Sequence, residues 1–181
     1  GRINTHDTMA YAQRYLGGRI LAARLAWDEI PGACDPFDPQ NPVIIATGPL
    51  TGTLAPTTGR TIMSSISPRT YPRAWYTHST LGGWFGPALK YAGYDCLVIR
   101  GQAASPVYLD VHDGEVRLRD ASDLWGRGAR ETQITLRSRL GGRAQVLAIG
   151  PAGENRVRFA TVQHAEENAA GHSGFGAVWG A

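Results

Sequence analysis

Residues 43–66, VIIATGPLTGTLAPTTGRTIMSSI, contain two apolar runs joined by a loop of biased composition. Between Gly48 and Arg60 that loop carries three Gly, two Pro and four Thr, and it closes on a single cation. The β-branched runs on either side predict strands over Val43–Ala46 and Arg60–Ile66. The same outline recurs a hundred residues later. VLAIGPAGE (146–154) is again an apolar strand that ends in Gly-Pro and a turn. RTIMSSI follows the first turn and VRFATVQ the second, and each then meets a Gly-rich turn that opens a helix, LGGWFGPALKYAG (81–93) or AAGHSGFGAVWG (169–180). The recurrence reads as an internal duplication, and a two-fold duplication places both Gly-rich turns symmetrically about one axis.

Other elements follow from periodicity. Residues 8–29 predict a helix, with Tyr11, Tyr15, Leu21 and Leu25 at four-residue spacing, capped by Asp7 or Thr8 and weakened by Gly17–Gly18 into two pieces or a loop. Helices are also expected at Phe85–Tyr94 and Ala129–Leu140. Further strands are expected at Cys96–Arg100, Gln145–Ile149 and Val157–Val162. VYLDVHDGEVRLRD alternates around Asp113–Gly114, a hairpin pattern.

The chain has 181 residues, 43% apolar and 18% charged, enough for one sizeable core or two small packed lobes and too apolar for disorder. Lys90 is the sole lysine among eighteen cations, and the guanidinium fork of Arg suits phosphate and carboxylate. No basic run is long enough for a nucleic-acid patch. Cys34 and Cys96 stand far apart with no metal-binding spacing, which argues against a disulfide scaffold. No apolar stretch reaches membrane length and no signal peptide is evident, so no membrane insertion and a cytoplasmic location are expected. The chain opens on Gly1 and stops at Ala181, a pattern expected of a fragment of a longer protein.

The chemistry legible in the residues is anion binding. Gly-rich turns that begin helices present bare backbone N–H groups at the positive end of a helix dipole, and Thr hydroxyls can add short donors. Arg60 follows the first turn and is a candidate clamp. His78 and His172 lie near the Gly turns and are ligand candidates; His112 beside the hairpin is a surface residue. Glu154, Glu166 and Glu167 read as a cap and a solvated face. No P-loop, GxGxxG or GxSxG pattern occurs. The residues alone therefore give an α+β anion-binding platform and no reaction.

These residues resemble the N-terminal domain of the aldehyde ferredoxin oxidoreductase family, the tungsten-pterin enzymes. The resemblance runs in order through YLGGR (15–19), NPVIIATGPLTGTLAP (41–56), GR (59–60), GGWFGPALKYAGYD (82–95), PVYL (106–109), DASDLWG (120–126), AIGPAGEN (148–155) and AAGHSGFGAVWG (169–180). It implies one tungstopterin-binding domain over residues 1–181: an α+β base of two β-sheets related by a pseudo-two-fold, with flanking helices, under a tungsten (or molybdenum) bis-pyranopterin. It implies a magnesium ion bridging the pterin phosphates, and a [4Fe–4S] cluster held by residues outside this chain. The implied whole enzyme, a homo- or hetero-oligomer, oxidises an aldehyde to a carboxylic acid and passes electrons to ferredoxin or another electron-transfer subunit. Related members instead reduce aromatic thioesters, and a non-enzymatic module that binds anions or a partner is the remaining alternative.

By position, the resemblance assigns pterin contacts to Arg60, Gly82, Gly83, Asn168, Ala169, Gly171 and His172, and magnesium ligation to Thr80 and the Ala169 carbonyl. It assigns no catalytic side chain to this segment. Two departures stand out. Thr80, with Ser79 and His78 as substitutes, takes the place of the family's usual Asn. The second turn, usually RAAGRGG, has Asn168 and His172 where Arg is common. Arg156 and Arg158 are the nearby cations that would restore the charge.

Overall fold

A computed structural model describes residues 1–70 and 72–181. The described residues form six helices and nine strands, an α+β architecture as expected. The helical stretch near the start divides at Leu16–Gly17 into α1 (Met9–Tyr15) and α2 (Gly18–Glu29). The N-cap residue of α1 is Thr8, whose hydroxyl makes no cap bond and instead donates to Asp95 at 2.6 Å, while Asp7 just before it accepts the Met9 N–H at 2.9 Å.

β1 (Val43–Thr47) is buried along its whole length because both of its faces are covered. Side chains alternate across a strand. Ile44 and Ala46 meet Ala22 and Ala26 of α2, whereas Val43 and Ile45 enter a core with Met63, Leu81, Leu89, Val162 and Phe175. An unbroken apolar run is what a strand covered on both faces requires. β2 (Thr61–Ile66) pairs antiparallel with β1 on one side, Ile45 opposite Met63. Asn41 ties the incoming loop to β2: its amide donates to the Pro36 and Ile66 carbonyls and accepts from the Ser65 hydroxyl and the Ile66 N–H.

β3 (Tyr76–Leu81) pairs with β2, then α3 (Phe85–Tyr91) leads to β4 (Cys96–Ile99), which returns beside β1. The sheet order is therefore β3-β2-β1-β4. α3 and β4 end earlier than expected, at Tyr91 and Ile99. β3 was not evident in the polar run YTHSTL. β5 (Val107–His112) and β6 (Glu115–Asp120) form the expected hairpin about Asp113–Gly114 and stand as a separate sheet. α4 (Ala129–Leu140) has the expected bounds, with Glu131 in its first turn and Arg137 and Arg139 in its last, charges that suit the helix dipole.

The last third is a smaller sheet of β7 (Leu147–Ala148), β8 (Val162–His164) and β9 (Asn168–Ala170), with α5 (Pro151–Glu154) after β7 and α6 (Phe175–Trp179) after β9. The strand expected at Val157–Val162 is corrected: only Val162 belongs to one. Arg156 is left-handed at φ 53°, and a turn closed by the Ala160 N–H on the Val157 carbonyl (2.7 Å) carries the chain to β8. The described strands thus make three sheets where the sequence suggests two, the hairpin being the third. β3 and β9 are edge strands of their sheets and lie against each other. Phe175, fully buried, joins Met63 and Leu81 to Val162 and so packs both sheets into one core. Phe175→Ala is expected to cost about 3–5 kcal/mol in urea denaturation.

Candidate functional site

Arg60 and Gly82 leave the β2–β3 ladder at the same end, since Thr61 pairs with Leu81. There the Arg60 guanidinium donates to the Thr80 hydroxyl oxygen at 3.2 Å. The loop before Arg60 is closed on itself. Thr51 accepts from the Gly48 N–H at 3.1 Å and donates to the Thr58 carbonyl at 2.8 Å. Thr53 donates to Leu50 at 2.7 Å and Thr58 to Ala55 at 2.9 Å. A hydroxyl has one proton to give, so these three threonines have none left for a ligand. The expectation that Thr donors face an anion is corrected for them; their role is to shape the loop.

The two Gly-rich turns meet across the β3–β9 contact. Gly83 is left-handed at φ +84°, and a Cβ there would lie 2.5 Å from His164 Cδ2. A Cβ on Gly82 would lie 2.6 Å from Asn168 Oδ1. Gly83 therefore needs its missing Cβ so that the buried His164 ring can press on the turn, whereas at Gly82 the contact is only with the tip of the half-buried Asn168 side chain. His164, 3% exposed, accepts the Trp84 N–H at Nε2 (3.2 Å) and has Nδ1 3.0 Å from the Val146 carbonyl. The first N–H of the α3 turn is thus already taken, which narrows the open donors expected there. The second turn is fixed to β3 by the His172 N–H on Ser79 Oγ (3.2 Å), and to the residue just past β2 by the Ser67 hydroxyl on the Ser173 carbonyl (2.7 Å). Gly174, at φ +70°, is held so close that a Cβ would lie 1.9 Å from the Arg158 carbonyl oxygen.

His78, Ser79, Thr80, Gly171 and His172 line a groove of about 310 Å³ along this joint. Arg60 reaches its Thr80 end, Gly82, Gly83 and Asn168 adjoin one another beside it, and Ala169 is exposed on edge strand β9. All eight sequence-derived site residues border one region. Arg19, which the sequence reading did not single out, has its guanidinium 3.3 Å from Nε2 of the groove residue His78. Its signal was YLGGR, whose Gly pair reads as a helix weakness. Arg156 and Arg158 do not supply the second turn's charge. Arg158 donates to the Pro68 carbonyl at 3.1 Å and lies over the Phe37 ring, and Arg156 borders a different cavity. That cavity, about 1710 Å³ and edged by Val43, Ile45, Leu97 and Trp179, touches none of the eight residues.

The electrostatics favour neutral imidazoles and a fixed cationic fringe. Burial, then Arg19 and His172, pushes the His78 pKa down. Burial also lowers that of His164, against the opposing pull of its Val146 hydrogen bond. Burial and then Asp95 raise the Cys96 thiol to about 11, which makes it inert at neutral pH. Glu166 pairs with Arg130, both Glu154 oxygens accept the Gly126 N–H, and His112 lies exposed beside Asp110 and Asp113. Among the described residues no group of three or more His, Cys, Asp or Glu is placed to hold a metal ion, and no helix is long and apolar enough to cross a membrane.

The family model for the aldehyde ferredoxin oxidoreductase N-terminal domain matches residues 1–181. The chain belongs to that family. The chain is 45% identical over 170 residues to the tungsten-containing aldehyde ferredoxin oxidoreductase of Pyrococcus furiosus, covering 93% of this chain and 28% of that relative. It is 37% identical over 184 residues to the WOR-like subunit of an aliphatic sulfonate oxidoreductase from the same organism, covering 93% of this chain and 29% of that one. Among solved structures it matches the active-site complex BamBC of benzoyl coenzyme A reductase, bound to 1,5-dienoyl-CoA, with a TM-score of 0.90 and 42% identity over 98% of this chain and 26% of that one. The chain thus spans under a third of the length of these relatives.

Gly83→Ala is expected to cost at least about 2 kcal/mol in urea denaturation, from a left-handed backbone and a clash with His164. The lowered His164 pKa also sets a pH dependence. Above the unfolded value of about 6.5 the ring is neutral in both states and its contribution to stability is complete. As pH falls below that, the unfolded chain takes up a proton that the folded chain refuses, and stability declines. The urea midpoint should fall between pH 7.5 and 5.5, and fall less in His164→Gln; equal falls would contradict this origin.

Proposed function

We propose that this domain is the phosphate-gripping base for a bis-pyranopterin carrying tungsten or molybdenum, in a protein that oxidises aldehydes to carboxylic acids. The convergence of two Gly-rich turns and Arg60 on the β3–β9 joint carries this reading. The donor set fits such a group. Gly171, whose missing Cβ would meet nothing nearer than 4.0 Å, leaves main chain bare for close approach, Arg60 and Arg19 add cations beside Thr80 and His78 of the groove, and among the described residues no group of three or more His, Cys, Asp or Glu is placed to hold a metal ion. The cofactor supplies two-electron redox chemistry when bound; this chain orients it.

The roles follow from the atoms. Arg60 spends one of its five N–H donors on Thr80 and keeps the others for phosphate oxygens. Thr80 Oγ1, accepting from Arg60, retains its proton and a second lone pair. With the Ala169 carbonyl it would offer oxygen to a magnesium ion, a hard cation that prefers such ligands. Gly82, Gly83 and Asn168 would meet the first pterin, and Gly171 and His172 the second. Arg19 supplies charge that the second turn lacks, since His172 stands where the family commonly has Arg. The succession of three strands, Gly turn and helix in β1–β3 with α3, and again in β7–β9 with α6, supports a duplicated, pseudo-two-fold origin.

Electrons would leave through a [4Fe–4S] cluster held outside this chain to ferredoxin or another electron-transfer subunit. A second reading, reduction of an aromatic thioester, is favoured by the benzoyl coenzyme A reductase neighbour. Assays of the anaerobically purified native-length protein with aldehydes and with aromatic thioesters separate the two.

Elemental analysis of that protein, from cells supplied with tungstate and molybdate, should give about one W or Mo per chain and roughly four Fe. Arg60→Ala should weaken cofactor affinity at least about tenfold, the loss expected for a charge-assisted hydrogen bond of roughly 1.5–3 kcal/mol, and so lower heavy-metal occupancy. A folded protein free of W and Mo would overturn the proposal.

A further inference from the structure

His164 has a definite protonation state, set by its two neighbours. The Val146 carbonyl has only lone pairs, so Nδ1, 3.0 Å away, must carry a proton. The Trp84 N–H can only donate, so Nε2, 3.2 Å away, must be bare. Only the neutral Nδ1–H tautomer satisfies both. The ring also fills the space that a Cβ at Gly83 would need, with Cδ2 at 2.5 Å and Nε2 at 2.8 Å from that position. Phe85 packs edge-on against it, ring centroids 6.2 Å apart. Its cross-strand partner Asn168 presses on Gly82 in the same way. The ring thus joins three segments: the entry to β7 at Val146, β8 itself, and the turn that starts α3.

We propose that His164 is a positioning residue that holds the Gly82–Gly83–Trp84 turn in its ligand-facing form by lending its Nε2 lone pair to the Trp84 N–H. Touching no part of the groove itself, it acts through the turn. What the turn holds rests on the bis-pyranopterin reading; how the turn is held does not. Two substitutions divide the contacts. His164→Gln extends an amide to the Nε2 position and can still accept from Trp84. His164→Asn reaches only the Nδ1 position, so it can donate to Val146 but leaves the Trp84 N–H bare.

The test is hydrogen–deuterium exchange on the native-length protein, read on a peptide spanning residues 82–86, with melting temperature and W or Mo content alongside. In His164→Asn the Trp84 amide should exchange at least about tenfold faster and metal content should fall. His164→Gln should keep both near the parent's. Parent-like exchange in the Asn variant, or equal loss in both variants, would overturn the proposal. Should either variant fail to fold, 15N spectra of the unsubstituted protein with labelled histidine decide instead. Nδ1–H with a bare Nε2 is expected; a protonated Nε2 overturns it. Parent protein without W or Mo would reject the cofactor reading while leaving the exchange comparison valid. Metal-loaded protein with unchanged Asn-variant exchange would reject the role of His164 alone.

Discussion

Two sheet edges meet at β3 and β9, and the meeting is possible because the chain there gives up side chains on one side. Gly82 and Gly83 leave room that His164 and Asn168 occupy from the other sheet, so the sheets interlock through missing Cβ atoms. The core behind the joint obeys the same geometry. Phe175 follows the second Gly turn directly and fills the volume between Met63, Leu81 and Val162. Arg60, Thr80 and the β9 turn are brought together as a consequence, since each lies within three residues of a strand residue buried in that core, Met63, Leu81 and Ala170 respectively.

Much of this was legible because burial leaves a period in the sequence. The β5–β6 hairpin alternates about a left-handed Asp113 and Gly114, and β1 is apolar throughout because both faces are covered. β3 was illegible for the converse reason. Its exposed face carries His78 and Thr80, and its buried face includes Ser79, held by hydrogen bonding to the second turn. β9 has three residues, too few for any period. Val157–Val162 has the composition of a strand, but the left-handed Arg156 and the turn after it spend those residues on a bend.

The site divided along the same line. Residues marked by Gly turns or by family blocks, such as Arg60, Gly83 and Gly171, could be named from sequence. His164 could not, because its meaning lies in a pairing with Asn168 across a hairpin that no sequence pattern announced. Arg19 was visible as part of YLGGR, yet nothing in that block says it faces His78, fifty-nine residues away. The threonines of the first loop were noticed for their hydroxyls, whose partners only the folded backbone could disclose.

Those threonines bear on how tightly any anion is held. Each of Thr51, Thr53 and Thr58 closes a short ring with a carbonyl of its own loop. Conformational freedom in this loop is therefore surrendered when the domain folds, and little remains to be lost when a ligand arrives. A loop frozen beforehand binds with a smaller entropic penalty and adapts poorly to anions of the wrong size. The Thr-rich composition of residues 48–60 is in this sense a device for stiffness.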